Sequence, residues 1–158
     1  MESKLDELEL ILSHLKGFLK FGGTDRAWID KRSNKPKITY FGRFRRYGKM
    51  VDGRGTRELP LLDKLLRDIV KLYNPDFKYT RFQVNYNVEC IPHKDGKNIG
   101  ESLIFSVGDY TGGELMVDGE PIDIYKRPYL FNGALKEHWV NPFEGDRFSV
   151  IYYLDKKL

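Results

Sequence analysis

The sequence predicts an α+β fold in which two helices precede a β-sandwich or jelly roll. Two segments of the first half carry apolar residues at the helical period, and the second half has about seven short strands separated by Gly- and Pro-containing turns. Helices followed by many short strands are typical of α+β proteins. A chain of 158 residues corresponds to one domain with a sizeable core. We therefore predict a single domain, with a helical and basic N-terminal part (1–78) and a strand-rich core (79–158).

Two amphipathic helices are predicted. Residues 4–20 place leucine, isoleucine and phenylalanine at the helical period, and Ser3 with Asp6 can cap the start. The second helix runs from Pro60, a residue suited to the first helical position, to about Tyr73. Between them, residues 24–58 are predicted to form short strands and loops, with residues 37–41 as one strand.

The predicted strands of the second half follow from short or alternating apolar segments. Asp118 and Gly119 separate two such segments and predict a tight hairpin, because Asp-Gly favours a type I′ turn. The predicted strands span residues 81–88, 102–107, 115–117, 121–124, 129–131, 137–140 and 147–154.

Composition excludes several classes of protein. A single cysteine, Cys90, rules out an internal disulfide and a four-cysteine zinc site. No apolar run approaches the ~18 residues of a membrane-spanning helix. The N-terminus carries acidic residues among its apolar positions, unlike a signal peptide. An intracellular, soluble protein without a membrane partner is expected, and its oligomeric state is left open.

Positive charge is concentrated in residues 25–58. This segment has eleven basic and four acidic residues, a net charge of +7, whereas the whole chain carries +4. Basic residues interleaved with aromatic ones suit a phosphate backbone with stacked bases. The composition agrees equally well with a solvated, loop-rich subdomain whose aromatic residues merely belong to the core. The candidate contacts to nucleic acid are Tyr40, Arg43, Phe44, Arg45 and Arg46.

A candidate metal site combines His93 and Asp95 with His138, which follows 43 residues after Asp95. Residues two apart on an extended segment project to the same side, so an imidazole and a carboxylate can share one ion. Two histidines and one carboxylate that leave coordination positions open are typical of non-haem Fe(II) oxygenases. By itself, His-x-Asp also occurs as an ordinary surface pair.

Arg147 and Ser149 open a predicted strand nine residues after His138. The period of two places both on one face, with Ile151 and Tyr153. A guanidinium and a hydroxyl in this spacing can bind a carboxylate, and an arginine inside a barrel is costly without an anionic partner. Pairing with an internal acidic residue is the alternative.

Residues 79–154 resemble the core of the Fe(II)/2-oxoglutarate-dependent dioxygenases, since His-x-Asp, Gly-Gly-x-Leu, the distal histidine and Arg-x-Ser occur together. The segments HKDGKNIGES, GDYTGGEL and HWVNPFEGDRFSVIYY are most similar to the TET/J-binding-protein branch, which oxidises the 5-methyl group of pyrimidines in nucleic acid. LPLLDKLLRDIVKLY and FQVNYN resemble the corresponding parts of AlkB-type repair dioxygenases. Prolyl-hydroxylase-type enzymes share Gly-Gly-x-Leu and the His-to-Arg spacing.

This resemblance implies a double-stranded β-helix (jelly roll) with the N-terminal helices packed on it. It also implies Fe(II) as the metal, 2-oxoglutarate and O2 as cosubstrates, and ascorbate as an auxiliary reductant. The implied roles are Fe(II) ligation by His93, Asp95 and His138, binding of 2-oxoglutarate by Arg147 and Ser149 with Asn85 and Asn87 beside them, and loop support or substrate contact by Asn98.

The function hypothesis that follows is hydroxylation of a nucleobase, with the 5-methyl group of 5-methylcytosine or thymine in DNA as the expected target. Three alternatives stay open: AlkB-type demethylation of nucleic acid, hydroxylation of a protein side chain, and a non-catalytic jelly-roll binding module. In the protein alternative, the basic segment binds an acidic peptide. The sequence shows no cysteine-rich or separate DNA-binding module like those of the larger TET and J-binding proteins, which keeps small or single-stranded substrates in view.

Overall fold

Antiparallel strands form most of the structure, a computed structural model that describes residues 1–17, 19 and 37–155. The helices are α1 (Glu2–Leu15), α2 (Arg54–Glu58) and α3 (Pro60–Tyr73). The strands are β1 (Lys37–Arg46), β2 (Lys49–Asp52), β3 (Arg81–Tyr86), β4 (Asn98–Val107), β5 (Tyr110–Gly112), β6 (Leu115–Val117), β7 (Glu120–Ile122), β8 (Tyr129–Phe131), β9 (His138–Val140), β10 (Phe143–Gly145) and β11 (Phe148–Asp155).

A six-stranded sheet in the order β2-β1-β3-β11-β4-β8 separates two layers of the protein. Helices α1 and α3 pack on one face, where their leucines meet aromatic residues of the sheet such as Phe82 and Phe105. The opposite face meets the smaller sheet β7-β6-β9 through Ile104, Leu115 and Phe131. Burial of apolar surface on both faces stabilises this arrangement. The predicted mixture of helices and mainly antiparallel strands is therefore confirmed.

The two predicted helices differ in how closely they match the helices of the structure. Helix α3 begins at Pro60 and ends at Tyr73, as expected. Helix α1 ends at Leu15, and its start has no side-chain cap, so the predicted capping by Ser3 and Asp6 is wrong. Asp6 instead forms an ion pair with Lys126, which joins α1 to the strand-rich core. No helix in the described part of the chain is long and apolar enough to cross a membrane.

All the predicted strands are present, with shifts of a few residues at their ends. Asp118 and Gly119 both have positive φ, as the predicted type I′ turn requires. Strands β2, β5 and β10 and helix α2 were not predicted. The three strands are short and rich in polar residues or glycine, so they lack the apolar alternation on which sequence-based assignment depends.

Strand β1 changes partners at Gly42. It pairs with β3 as far as Gly42 and with β2 from Arg43 onward. Gly42 has a φ of 86°, and a Cβ there would lie 2.3 Å from the carbonyl oxygen of Thr80. Only glycine fits this conformation and this close approach. The hairpin formed by residues 43–52 consequently continues beyond the end of β3.

Candidate metal centre

A cavity of about 500 Å³ lies between the six-stranded and the three-stranded sheet. Strands β3, β4 and β11 supply one wall, β6 and β9 supply the other, and the loop between β3 and β4 forms part of the rim. The three predicted metal ligands line this cavity together, which places residues from two distant parts of the sequence at one site.

His93, Asp95 and His138 form a compact cluster in which the candidate ligand atoms lie within 4.8 Å of one another. The distance from Asp95 Oδ2 to His138 Nε2 is 3.1 Å, and that from Asp95 Oδ1 to His93 Nε2 is 3.6 Å. Among the residues that the structure describes, this is the one group of three or more such side chains suited to an ion. The juxtaposition predicted from the His-x-Asp motif and His138 is present.

Backbone hydrogen bonds hold the cluster in place. His93 and His138 form an antiparallel bridge in which each backbone N–H donates to the carbonyl of the other, at 3.1 and 3.0 Å. The N–H of Asp95 donates to the carbonyl of Gly133 at 2.8 Å. The loop that carries His93 and Asp95 is thus attached to β9, the strand that carries His138.

The orientation of both imidazoles suits a metal ion. Nδ1 of His93 lies 2.7 Å from the carbonyl oxygen of Ile91, and Nδ1 of His138 lies 2.9 Å from that of Lys136. Donation from Nδ1–H to these carbonyls leaves the Nε2 lone pairs directed at the cluster, as is usual for metal-bound histidines. Burial disfavours the imidazolium of His138, but hydrogen bonds to Asp95 and Lys136 outweigh this effect and raise its pKa. The donor set fits Fe(II).

Gly133 is a supporting residue that sequence reasoning missed. A Cβ at this position would lie 3.2 Å from Cε1 of His138 and 3.3 Å from Oδ2 of Asp95. A side chain at residue 133 would therefore crowd the cluster, and His138 or Asp95 would have to shift by a few tenths of an ångström to accommodate it. An Asn-Gly pair in a turn is a weak signal, and nothing in the sequence connects it with the ligands.

We expect Gly133→Ala to lower the affinity for a divalent metal by about tenfold, the size typical for a residue that orients ligands. The added methyl group would displace His138 or Asp95 from its position. Isothermal titration calorimetry with Mn(II) measures the change. Gly96→Ala is the matched control, because a Cβ at Gly96 meets nothing within 4 Å. Equal affinities for the two variants would contradict the steric role of Gly133.

Arg147 lies immediately before β11 and is 2% exposed. Its Nε donates to the carbonyl of Gly113 at 3.1 Å, and its guanidinium lies 5.5 Å from the ring centroid of Tyr110 and 5.9 Å from that of Phe143. Nη2 is buried without a hydrogen-bond partner, and within the described ranges no carboxylate forms an ion pair with Arg147. Burial lowers the pKa of this side chain. A buried cation with an unused donor suits an anionic ligand.

The two glycines of the Gly-Gly-x-Leu motif, Gly112 and Gly113, serve the conformation of the backbone. Gly112 and Gly113 both have positive φ, and a Cβ at Gly113 would lie 2.9 Å from Cδ and Nε of Arg147. Gly113 thereby allows the arginine to pack against the backbone. Arg147 itself is not among the cavity-lining residues, whereas Ser149 is. A shared role for Arg147 and Ser149 in binding a carboxylate stays a prediction.

Asn85 and Asn87 have different surroundings. Asn85 lines the cavity, and its Nδ2 donates to Oγ of Ser149 at 3.1 Å, so the two polar groups lie side by side on β3 and β11. Asn87 has a φ of 52°, and its Oδ1 accepts a hydrogen bond from the backbone N–H of Arg147 at 2.8 Å. Asn87 thus positions the residue before β11 rather than lining the cavity.

Asn98 lines the cavity, and its backbone N–H donates to the carbonyl of Asp95 at 3.0 Å. The contact supports the loop that carries His93 and Asp95, which agrees with one of the two roles expected of Asn98. Arg43, Arg45 and Arg46 are exposed on the β1–β2 hairpin.

Arg81 was not predicted as a site residue, although it lines the cavity. Its guanidinium lies 5.3 Å from the ring centroid of Tyr40 and 4.4 Å from that of Phe44, and Nη1 lies 3.0 Å from Oδ2 of Asp155. The predicted stacking residues Tyr40 and Phe44 therefore pack against an arginine of the cavity wall. Within the basic segment 25–58, residues 25–36 lie outside the described residues, and Trp28 is among them.

Comparison with known proteins finds solved structures whose fold is similar to that of this chain. No family model matches the sequence, and no curated protein matches it. Among solved structures, NgTET1 in complex with 5mC DNA is similar with a TM-score of 0.67 and 14% identity, over 97% of this chain and 68% of that one. OsALKBH1 gives a TM-score of 0.60 and 13% identity, over 94% of this chain and 92% of that one. A prolyl-4-hydroxylase from Pseudomonas putida gives a TM-score of 0.57 and 12% identity, over 98% of this chain and 87% of that one.

These likenesses establish a shared fold. The resemblance to TET and AlkB-type proteins that the sequence indicated is confirmed at this level. The prolyl-4-hydroxylase shares the same fold, so the fold alone does not distinguish nucleic acid from protein as the substrate.

Proposed function

We propose that this chain is an Fe(II)/2-oxoglutarate-dependent dioxygenase with a double-stranded β-helix core. The observation that carries the proposal is the convergence of His93, Asp95 and His138 in one cavity, with both Nε2 atoms and the carboxylate directed at a common point. The similarity in fold to NgTET1 and OsALKBH1 supports it. A vestigial binding module would not need to keep all three ligand side chains in this orientation.

Iron bound here with 2-oxoglutarate supplies the activation of O2 for oxidation of a C–H bond. His93, Asp95 and His138 would hold the ion, and a set of two imidazoles and one carboxylate would leave coordination positions free for other ligands. The carbonyls of Ile91 and Lys136 keep both imidazoles in the tautomer that can bind metal.

Arg147, Ser149 and Asn85 are the proposed contacts of 2-oxoglutarate. Arg147 brings a buried charge with an unused Nη2, and Ser149 and Asn85 bring adjacent polar groups on the cavity wall. A carboxylate would satisfy the guanidinium and remove the cost of an unmatched buried cation.

Nucleic acid, and DNA in particular, is the proposed substrate, with the 5-methyl group of a pyrimidine as the target. The basic β1–β2 hairpin begins beside Arg81 of the cavity wall, so a phosphate backbone bound by the hairpin would lie near the cavity. A base must leave the duplex to reach a buried metal centre. AlkB-type demethylation of nucleic acid would use the same basic hairpin and the same entry of an extruded base into the cavity. Hydroxylation of a protein side chain is the second candidate, favoured by the likeness to the prolyl-4-hydroxylase.

Incubation with Fe(II), O2, 2-oxoglutarate, ascorbate and duplex DNA containing 5-methylcytosine tests the substrate. We expect mass spectrometry of the digested nucleosides to detect a hydroxylated base, together with succinate, and we expect neither product from the His93→Ala variant. Succinate formation that an acidic peptide stimulates and DNA does not would support the protein alternative. Absence of succinate with every substrate would overturn the dioxygenase proposal.

Reversing Arg43, Arg45 and Arg46 to glutamate is expected to weaken DNA binding for all sequences alike. A protein that neutralises fewer phosphates releases fewer counterions, so the dependence of affinity on salt should become shallower. Fluorescence anisotropy at several salt concentrations measures both effects, and 2-oxoglutarate turnover without DNA should stay near normal. The control reverses three lysines of the helical layer, Lys4, Lys64 and Lys71. Equal decreases in affinity for both triple variants would point to net charge rather than to the hairpin.

A further inference from the structure

We propose that Gln83 and Tyr153 are positioning residues that turn the hydroxyl proton of Ser149 toward a carboxylate of 2-oxoglutarate. They act through a chain of side-chain hydrogen bonds that follows the polar wall of the cavity. This inference rests on the proposed function and deepens it, because it assigns the residues that prepare the wall for an anion.

The chain of hydrogen bonds connects four cavity-lining residues. The hydroxyl of Tyr153 donates to Oε1 of Gln83 at 3.0 Å, and Nε2 of Gln83 donates to Oδ1 of Asn85 at 2.8 Å. Nδ2 of Asn85 then donates to Oγ of Ser149 at 3.1 Å. All four side chains line the cavity. Every bond therefore runs in the same direction, from Tyr153 to Ser149.

The register of β3 and β11 explains why these side chains meet. The two strands are antiparallel, and Asn85 lies directly opposite Ser149. Gln83 lies opposite Ile151, which offers no polar atom. Because residues two apart share one face of a strand, the amide of Gln83 lies between Asn85 on its own strand and Tyr153 on the neighbouring one. The polar groups thus form a continuous line along the wall.

Burial gives the direction of the chain its importance. Gln83, Ser149 and Tyr153 are 6%, 4% and 7% exposed, so their polar groups depend on partners in the protein or on a bound ligand. The oxygens of both amides and of Ser149 each accept a hydrogen bond within the chain. Hydrogen bonds in such a series polarise one another, so each donor strengthens the next.

The groups that remain for a ligand are donors. In the described part of the chain, the one hydrogen bond of the Ser149 side chain is the bond that it accepts from Asn85. A hydroxyl has a single proton, which this bond leaves available. The amides of Asn85 and Gln83 each have a second N–H. A wall that offers O–H and N–H groups suits an ionised carboxylate, because a carboxylate only accepts hydrogen bonds.

A role in folding alone would not require this order. Apolar side chains of similar size could close the wall beside Ile151, and replacing both partners of a buried hydrogen bond by apolar groups is often nearly neutral. A ligand that needs donors accounts for a polar series with one direction. Gln83 is the central link, because it accepts from Tyr153 and donates to Asn85.

The test measures binding of 2-oxoglutarate to the full chain with Mn(II), by isothermal titration calorimetry. Gln83→Met keeps the length of the side chain and removes its hydrogen bonds, so the amide of Asn85 can rotate and accept the proton of Ser149. We expect the dissociation constant of 2-oxoglutarate to rise about fivefold, the effect of one net hydrogen bond. Mn(II) affinity should not change. In uncoupled turnover with Fe(II), KM for 2-oxoglutarate should rise while kcat stays near that of the wild type.

A double-mutant cycle separates positioning from support of the fold. When Ser149→Ala is already present, Gln83→Met should change the dissociation constant less than about twofold, because the proton that it positions is absent. A residue that merely supports the cavity would weaken binding by the same factor in both backgrounds.

Tyr153→Phe removes one hydroxyl from the start of the chain and should raise the dissociation constant about threefold. It carries the test by itself if Gln83→Met does not fold. Tyr152→Phe is the matched control, because the hydroxyl of this neighbouring residue donates to the carbonyl of Leu66 on the helical side of the sheet, at 2.6 Å. We expect the control to bind 2-oxoglutarate as the wild type does.

Three results would overturn the inference. They are wild-type affinity for 2-oxoglutarate in folded Gln83→Met or Tyr153→Phe, an undiminished effect of Gln83→Met when Ser149→Ala is present, and equal losses in Tyr152→Phe and Tyr153→Phe. Each of them leaves the proposed function intact as long as the wild-type protein binds 2-oxoglutarate. Wild-type protein that binds Mn(II) and no 2-oxoglutarate would overturn the proposed function together with the inference.

Discussion

The Asp95→Ala variant should bind Fe(II) with an affinity at least about 100-fold lower than that of the wild type. It should form no succinate from 2-oxoglutarate. Asp95 is the carboxylate of the cluster, and its two oxygens lie 3.6 Å from Nε2 of His93 and 3.1 Å from Nε2 of His138. Changes to residues that merely support the ligands cost 10–100-fold in metal affinity, so loss of a ligand should cost at least the upper end of that range. Anaerobic calorimetry with Fe(II) measures the affinity.

Glu137→Ala is the control for this variant, because Glu137 is an exposed carboxylate next to His138 in the sequence. We expect its metal affinity and succinate formation to match those of the wild type. Wild-type affinity in Asp95→Ala would mean that the ion is held elsewhere, and the assignment of the three ligands would then be wrong.

Replacing Arg147 with methionine should raise the apparent dissociation constant for 2-oxoglutarate by at least about tenfold, because a charge-assisted hydrogen bond contributes roughly 1.5–3 kcal/mol. Fe(II) affinity should not change. The same variant should be more stable to heat than the wild type when 2-oxoglutarate is absent, since the arginine is buried with Nη2 unpartnered. Thermal unfolding with and without 2-oxoglutarate measures both effects.

This combination of results distinguishes a binding role from a structural one. An arginine that merely supports the fold would make the protein less stable when removed, with or without 2-oxoglutarate. Arg127→Met, a change of the same kind at an exposed position, should alter neither quantity. Unchanged affinity for 2-oxoglutarate in folded Arg147→Met would show that another cation binds the carboxylate.

Sequence patterns predicted the parts of the fold that depend on apolar periodicity. Helix α3 matches its prediction at both ends because its apolar face and Pro60 are local signals. Helix α1 is shorter than predicted at its end, and Asp6 pairs with Lys126 instead of capping the helix. That ion pair joins residues 120 positions apart, and no local pattern reports such a contact.

The clustering of His93, Asp95 and His138 could be predicted because this combination of residues is rare, whereas the residues that support the cluster could not. Gly133 is important because of the atoms that a Cβ would meet, and Arg81 because β3, which begins at this residue, lines the cavity. Tyr40 and Phe44 were selected as aromatic residues in a basic segment, but Tyr47 is the ring that is exposed. Exposure depends on the partners of β1, and these partners change at Gly42.

The reciprocal hydrogen bonds between His93 and His138 have a consequence for the dynamics of the site. These two bonds close the ligand-bearing loop onto β9, so the amide protons of both residues exchange with solvent only when the site opens. The free energy of that local opening is distinct from the free energy of global unfolding. An ion that links the loop to the strand makes each opening event rarer. The exchange rate of these two amides is therefore an intrinsic measure of how firmly the metal site is closed, and it does not depend on catalysis.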